Sequence, residues 1–356
     1  MKKNPNLGYL NNLLKTSPEI QIRKKDKYVI FSDLHIGDGG RNDDFLQNAE
    51  LFKKVLEKYY LANDYNLILN GDVEELQRFP LYKIKRQWEN LYRILNNFKE
   101  KESLIKIYGN HDYDLFLEND TIGRNPDIPV LESLKLKHKD GTIFIFHGHQ
   151  ASPHYAKHHK KISFMLRVFA NPLGIGNYSL AHDSKKRYYI EQRIYNFARI
   201  NKVIAVIGHT HRPLFEALSK IDFLKYIIEE LCRKYAAESK KKKKEIEIEI
   251  KEYQKELENY SYKDVKKSLR NTLYAANIVI PCIFNSGCCI GKRGITSIEI
   301  TYDEIYLVHW FDSSISKKYL NYHGNYPEKI AGTNYFRMVL KKDYLDYIFT
   351  RIKLLS

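Results

Sequence analysis

The chain has 356 residues, of which 43% are hydrophobic, and this is enough apolar material for one large domain or two modest ones. This composition excludes collagen-like, mucin-like and wholly disordered proteins. The four cysteines form no C-x-x-C pair, which argues against a disulfide framework and against a cysteine zinc site.

The net charge is +16, from 59 basic and 43 acidic residues. It favours anionic partners, namely nucleic acid, phosphorylated metabolites or an acidic membrane surface, although lysines that only solvate the surface explain it equally well. The first residues lack the apolar stretch of a secretory signal, and no run of about eighteen apolar residues occurs. We therefore expect a cytoplasmic protein, with peripheral binding at the inner membrane surface left open.

After an N-terminal arm over residues 1–24, five short apolar runs predict buried strands. The runs are Tyr28–Phe31, Leu67–Leu69, Leu104–Tyr108, Thr142–Phe146 and Val203–Ile207. Asp44–Leu61 and Leu81–Phe98, which separate the first three, show the apolar spacing of helices. The alternation predicts an α/β fold in which residues 25–218 form the first part of the core.

The segment 219–272 differs in composition from the rest of the chain, because it lacks Gly and Pro and contains the run Lys240–Lys244. We expect a charged helical insert, although the alternation of Glu and Ile over 245–250 fits a short strand equally well locally. The insert is either a solvated helical excursion or an arm that binds a protein partner.

Residues 273–312 contain three further β-rich runs, and we expect these late strands to complete the core. They are Asn277–Phe284, Ile295–Ile300 and Ile305–Trp310. The last segment, 313–356, predicts a helical tail that docks on the core.

Polar clusters follow the five predicted strands of the first part. They are Asp33-Leu34-His35, Gly71-Asp72, Gly109-Asn110-His111-Asp112, His147-Gly148-His149 and Gly208-His209-Thr210-His211. Loops converge at the C-terminal edge of an α/β sheet, so five loops can meet in one site. Carboxylates, imidazoles and one amide carbonyl, without sulfur, are typical ligands of hard-to-borderline divalent metals. The clusters offer seven candidate metal ligands, which is more than one tetrahedral ion takes, and this points to two metals.

The order D-x-H, G-D, G-N-H-D, H and G-H-x-H resembles the calcineurin-like metallophosphoesterase superfamily, over about Lys27 to Arg212 and the late strands to about Trp310. The resemblance implies an α/β fold with a β-sandwich flanked by helices and a dinuclear site at one end. The implied activity is hydrolysis of a phosphoester or pyrophosphate by a hydroxide that two divalent metal ions share. Manganese is the metal we expect, and iron or zinc also suit these ligands.

The resemblance also implies residue roles. The implied metal ligands are Asp33, His35 and His211 for the first ion, Asn110, His147 and His209 for the second, and Asp72 as the bridge. His111 would act beside the metals as proton donor or transition-state stabiliser, oriented by Asp112. Arg41 and Arg212 lie beside these loops and are candidate phosphate contacts, because a guanidinium binds phosphate through two hydrogen bonds.

The sequence leaves the substrate open. Asp72-Val73-Glu74-Glu75-Leu76 departs from the Gly-Asp-x-x-Asp-Arg-Gly pattern of protein Ser/Thr phosphatases and symmetrical dinucleotide tetraphosphatases. Gly208–Pro213 is similar to bacterial UDP-diacylglucosamine pyrophosphatases, which place a helical cap at the position of about 151–201, but these usually have Arg in place of His111. We expect a small phosphorylated substrate, either a nucleotide or a lipid-linked phosphate. A nuclease acting on nucleic acid and a non-catalytic scaffold are the alternatives.

Overall fold

The computed structural model describes residues 5–115, 129–152, 184–215, 240–271, 280–317 and 326–356, with isolated positions between 224 and 238 and at 319–320. The chain forms two compact units. Residues 1–216 and 280–356 form the larger unit, and residues 217–279 form the smaller one.

Helices and strands alternate through the first half of the larger unit. Among the described residues, the α-helices of this unit are α1 (Pro5–Thr16), α2 (Ala49–Val55), α3 (Leu81–Gln87), α4 (Glu89–Glu100), α5 (Ser184–Asn201) and α7 (Leu345–Leu355), and the smaller unit contains α6 (Lys240–Asn271). The strands are β1 (Glu19–Gln21), β2 (Tyr28–Phe31), β3 (Asn66–Asn70), β4 (Leu104–Ile107), β5 (Val130–Leu131), β6 (Ser133–His138), β7 (Gly141–Phe146), β8 (Ile204–Ile207), β9 (Ile283–Asn285), β10 (Ile295–Ile300), β11 (Glu304–Asp312), β12 (Glu328–Lys329) and β13 (Tyr335–Tyr344).

The larger sheet has the strand order β12-β13-β11-β10-β2-β3-β4-β5 among the described residues. Strands β2 to β5 run parallel, and β10 joins β2 in the antiparallel direction. Because β2, β3 and β4 are parallel neighbours, their C-terminal ends lie at the same edge of the sheet. This edge receives the first three polar clusters.

The smaller sheet has the order β1-β6-β7-β8-β9 within the described part of the chain. Strands β7, β8 and β9 are parallel, so the residues after β7 and β8 also share one edge. The side-chain amide of Asn70 in the larger sheet donates to the carbonyl of Phe146 in the smaller sheet at 3.1 Å. The hydroxyls of Ser32 and Ser286 lie 2.7 Å apart at the same edge. Both sets of strand ends therefore meet, and the expected two-sheet α/β fold is confirmed.

Helices cover the outer face of the larger sheet. Helix α4 buries Leu91, Ile94, Leu95 and Phe98, whose spacing of three and four residues forms one apolar stripe. These side chains belong to the same cluster as Phe31 of β2, which points to this face of the sheet. The central parallel strands are buried on both faces of the sheet, and this explains why they are continuous apolar runs in the sequence.

Both ends of the larger unit differ from their sequence-based description. The arm over 1–24 contributes α1 and also β1, which pairs with β6 in parallel. The tail over 313–356 is not wholly helical, because β12 and β13 precede α7 and extend the larger sheet. In β13 only Met338 is fully buried, so its residues lack the long apolar run that marks the central strands.

Helix α6 accounts for the Lys-rich run and for the Glu-Ile alternation, so the helical interpretation of that stretch is confirmed over Lys240–Asn271. The expected cap over about 151–201 falls mostly on 153–183, which lies outside the described residues, and α5 forms its last part. No helix in the described part of the chain is long and apolar enough to cross a membrane.

Candidate metal centre

The candidate ligands come from five loops that follow β2, β3, β4, β7 and β8. Five of them have left-handed backbone, with φ angles of 53° at Asp33, 47° at His35, 52° at Asp72, 63° at His209 and 54° at His211. Residues other than glycine rarely adopt this conformation, and where they do, the surrounding structure must hold them in it. The turns let both residues of Asp33-Leu34-His35 and of His209-Thr210-His211 face one site, which an extended strand would prevent.

The first group of possible ligands consists of Asp33, His35 and His211, whose donor atoms all lie within 4.8 Å of one another. The Nε2 atom of His211 lies 3.1 Å from Oδ1 of Asp33 and 3.1 Å from Nε2 of His35. Two imidazole nitrogens and a carboxylate oxygen thus converge on one point. This is a donor set that suits a divalent cation.

The second group consists of Asp72, His147 and His209, and all three are buried. Nε2 of His147 lies 3.2 Å from Oδ2 of Asp72, and its Nδ1 lies 2.8 Å from the backbone carbonyl of Asn70. The N–H group at Nδ1 donates a hydrogen bond to this carbonyl, which would leave Nε2 as the lone-pair donor to a bound metal. Nε2 of His35, from the first group, lies 3.8 Å from the same Asp72 oxygen. Asp72 therefore lies between the two groups.

Some buried polar atoms of this region have no hydrogen-bond partner among the described residues. They include Oδ1 of Asn110 and Nε2 of His147. Buried polar atoms are almost always satisfied, so an atom left without a partner calls for an explanation such as an ion. A divalent cation bound beside Asp72 would satisfy both atoms, and the residues present therefore fit a metal centre.

Close approach between the loops requires two of the glycines. A Cβ atom at Gly71, where φ is 83°, would lie 2.4 Å from the ring of His147. A Cβ atom at Gly109 would lie 2.1 Å from Oδ1 of Asp72. Larger residues at either position would push ligand loops apart, which explains why glycine precedes Asp72 and Asn110.

Glu75, which the sequence did not mark as a candidate site residue, contacts two histidines of the site. Its Oε2 lies 2.8 Å from Nδ1 of His35, and its Oε1 lies 2.8 Å from Nδ1 of His111. Asp112 instead accepts hydrogen bonds from the backbone N–H groups of Val73 and Gly109. Glu75 is therefore a further candidate for orienting His111, and the orienting role of Asp112 stays a prediction. The position of Glu75 in the loop after Asp72 was the signal available in the sequence.

The histidines keep the buried carboxylates ionised. Burial alone would raise the pKa of Asp33, but the imidazoles of His211 and His147 outweigh it and lower the pKa to about 2. Burial opposes ionisation of Glu75 in the same way, and hydrogen bonds from His111 and His35 lower its pKa to about 2. The site therefore presents carboxylates that are already charged, as metal binding requires.

The two arginines proposed as phosphate contacts have different surroundings. Arg41 is exposed on the loop after His35. The guanidinium of Arg212 forms a two-point ion pair with Glu191 of α5, in which Nε lies 3.2 Å from Oε1 and a terminal nitrogen contacts Oε2. Arg212 therefore already has an anionic partner within the chain, while Arg41 keeps its position as a candidate phosphate contact.

The calcineurin-like phosphoesterase family model matches residues 27–213, which is more than half of the chain and contains every candidate ligand. This chain belongs to the calcineurin-like phosphoesterase family. Membership supports a metal-dependent phosphoesterase, since the family typically binds divalent metals and the structure brings together groups that could hold them. No curated protein matches the chain.

Three solved structures are similar to the chain at low identity. One is a conserved uncharacterised protein, a predicted phosphoesterase, from Streptococcus pneumoniae TIGR4, with 12% identity over 80% of this chain and 89% of that one and a TM-score of 0.30. Vacuolar Protein Sorting 29 from Cryptosporidium parvum has 11% identity over 80% and 91%, with a TM-score of 0.35. A single mutant of Vps29 from Entamoeba histolytica has 10% identity over 80% and 92%, with a TM-score of 0.33.

Proposed function

We propose that this member of the family is a dinuclear metal-dependent phosphohydrolase that cleaves a phosphoester or pyrophosphate. The observation that carries the proposal is the position of Asp72, whose Oδ2 lies 3.2 Å from Nε2 of His147 and 3.8 Å from Nε2 of His35. A carboxylate between two groups of donors is suited to bridge two cations.

The seven candidate ligands divide between two ions in this proposal. Asp33, His35 and His211 hold the first ion, Asn110, His147 and His209 hold the second, and Asp72 contacts both. When bound, the two divalent cations supply an activated water and neutralise charge on the phosphoryl oxygens. Manganese is our first choice, and iron and zinc suit the same donor types.

His111 is the residue of the chain that we assign to proton transfer. Its Nδ1 lies 2.8 Å from Glu75, and its Nε2 lies 4.0 Å from Oδ2 of Asp72, so the Nε2 edge of the ring points toward the proposed bridge. From this position Nε2 can donate a proton or a hydrogen bond to the leaving oxygen, and such a group typically contributes about a hundred- to ten-thousand-fold to the rate.

The basic surplus of the chain supports an anionic substrate, and Arg41, exposed in the loop after His35, is the candidate phosphate contact. A small phosphorylated molecule, either a nucleotide or a nucleotide-linked lipid pyrophosphate, is the substrate class we propose first. The net charge of +16 also favours a nuclease as the second candidate.

A substrate panel separates these candidates. Wild-type protein loaded with Mn²⁺ is tested on an aryl phosphodiester, a nucleotide diphosphate sugar, a nucleotide-linked lipid pyrophosphate and single-stranded DNA, each at several salt concentrations. Faster cleavage of one pyrophosphate with little dependence on salt supports a small-molecule hydrolase. Cleavage of DNA that falls steeply with salt supports a nuclease, since binding to phosphates releases counterions.

The remaining alternative is a scaffold that binds a protein partner through 219–272 without catalysis. Burial of so many ligand side chains without a metal would be costly, which disfavours this alternative. Metal-free protein that stays inactive on every substrate after reconstitution would favour it. The matched control for metal-dependent activity in these assays is Asp72→Asn, which retains the side-chain shape and removes the charge of the proposed bridge.

A further inference from the structure

The loop after β8 supplies one residue to each of the two groups of possible metal ligands that lie on either side of Asp72. His209 belongs to the group with Asp72 and His147, while His211 belongs to the group with Asp33 and His35. Only Thr210 separates the two histidines. The conformation of this one residue therefore affects the geometry of both groups.

The backbone of this loop is strained and must be held in place. His209 and His211 have φ angles of 63° and 54°, in the left-handed region that side chains other than glycine rarely adopt. The N–H group of His209 donates to the carboxylate of Asp33, at 2.9 Å from its nearer oxygen. This contact is one support of the loop, and the hydrogen bonds of the Thr210 side chain are a second.

Thr210 is fully buried and lies in the middle of a chain of hydrogen bonds. The side-chain amide of Asn285, at the end of β9, donates to the Thr210 hydroxyl at 2.8 Å and to the Gly208 carbonyl at 3.0 Å. The Thr210 hydroxyl then donates to Oε1 of Glu191 at 2.8 Å. The hydroxyl thus accepts one hydrogen bond and donates another, and this fixes its direction.

Glu191 connects the loop to α5. Its side chain is buried to 1% exposure, and the same Oε1 that accepts from Thr210 accepts from Nε of Arg212 at 3.2 Å. Both residues that flank His211 therefore donate to one carboxylate. A carboxylate that is buried and multiply hydrogen-bonded is rigid, since each bond removes a direction in which it could move.

We propose that Glu191 and Thr210 are positioning residues that set the affinity of the site for both metal ions, by holding His209 and His211 in their strained conformation. The inference rests on the metal centre of the proposed function but not on any substrate. The inference also gives Arg212 a different role from the predicted phosphate contact, because its guanidinium pairs with Glu191 in this arrangement.

The test is a titration of metal-free protein with Mn²⁺. Binding is measured by calorimetry and by the electron paramagnetic resonance signal of the Mn²⁺ that remains unbound. Thr210→Val keeps the shape of the side chain and removes both hydrogen bonds, so we expect about tenfold weaker binding at both sites, as for other residues that orient metal ligands. Thr210→Ser keeps the hydroxyl and should bind as wild type. Glu191→Gln, which cannot serve all of its donors, should also weaken both sites.

A matched control separates positioning from general destabilisation. Glu299 is fully buried and forms a two-point ion pair with Arg337, as Glu191 does with Arg212, but it belongs to none of the ligand groups. Glu299→Gln should lower the unfolding temperature in EDTA and leave the Mn²⁺ affinity unchanged.

The outcomes of the titration distinguish a failure of the positioning role from a failure of the proposed metal centre. Wild-type affinity in Thr210→Val, or an equal loss in Glu299→Gln, would overturn the positioning role while the metal centre stands. Weakening at only one of the two sites would contradict the shared effect of the loop. A wild-type protein that binds no divalent metal would overturn the proposed function itself, and the positioning role with it.

Discussion

The Oε1 atom of Glu75 lies 2.8 Å from Nδ1 of His111, and this contact fixes the direction of the histidine ring. The other oxygen of the same carboxylate lies 2.8 Å from Nδ1 of His35, a candidate metal ligand. One side chain therefore orients both a proposed proton donor and a proposed ligand. Because an Nδ1–H group donates to each oxygen, both rings are expected to direct Nε2 into the site.

Substitution of His111 tests the proposed proton transfer. We expect His111→Ala to lower kcat by about a hundred- to ten-thousand-fold, because a positioned proton donor contributes this much. Its metal content should remain that of wild type, since His111 is not among the seven proposed ligands. Metal analysis by mass spectrometry and steady-state kinetics on an aryl phosphodiester provide the two measurements. Unchanged turnover would show that the assigned role is wrong.

A double-mutant cycle tests whether Glu75 acts through His111. We expect Glu75→Gln to lower kcat by about ten- to a hundredfold at saturating metal, as for other residues that orient a functional histidine. In the His111→Ala background the same substitution should change kcat little, because its target is then absent. If Glu75→Gln lowered kcat by the same factor in the presence and in the absence of His111, Glu75 would act mainly through His35 or by another route.

The buried ion pair beneath the site makes a prediction about stability. Nζ of Lys106 on β4 lies 2.7 Å from Oε1 of Glu74, and the hydroxyl of Tyr92 donates to the same oxygen at 2.9 Å. Lys106→Met would leave the Glu74 charge buried without its cation, and we expect a loss of about 3–5 kcal/mol in the free energy of unfolding.

Urea denaturation of three variants checks this expectation. Lys106→Met and Glu74→Gln are each compared with the double variant that carries both substitutions. The double variant should be more stable than Lys106→Met alone, because no unpaired charge remains in it. If the urea concentration at the midpoint of unfolding is the same for Lys106→Met and for wild type, the ion pair does not stabilise the fold.

His309 on β11 predicts a dependence of stability on pH. Burial is the main cause that lowers its pKa to about 4, whereas the pKa in an unfolded chain is about 6.5. Between these values the unfolded chain binds the proton and the folded chain does not, so stability falls as the pH falls from about 6.5 to about 4.

Replacement of His309 removes this contribution. His309→Phe should lose less stability than wild type between pH 7 and pH 5, and the comparison is made by urea denaturation in EDTA so that metal binding does not contribute. Equal losses in the two proteins would show that His309 does not titrate differently in the folded and unfolded states.

The sequence was sufficient for the central strands and the polar clusters after them. Parallel strands buried on both faces are continuous apolar runs; His147 directly follows such a run, and Asp72 follows another after Asn70 and Gly71. Strand β6, in contrast, alternates lysine with leucine, and β13 is largely half-buried, so neither has the run that identifies a central strand.

Contacts between side chains distant in sequence were the part that spacing could not predict. Glu75 contacts His35 across 40 residues, and Glu191 of α5 contacts Arg212 across 21 residues. A pattern along the chain shows which residues reach the shared edge of the sheets, but the rotamers there depend on packing between loops. The contact between Glu75 and His111 could not be predicted for this reason.

The most direct test of the dinuclear proposal follows turnover while metal-free protein is titrated with Mn²⁺. Metal bound per chain is measured at each point together with hydrolysis of an aryl phosphodiester. We predict that activity rises with the second equivalent and levels off at two ions per chain, and that Asp72→Asn loses this behaviour. Full activity at one ion per chain, or the same activity in EDTA, would contradict a hydrolase that uses two metals.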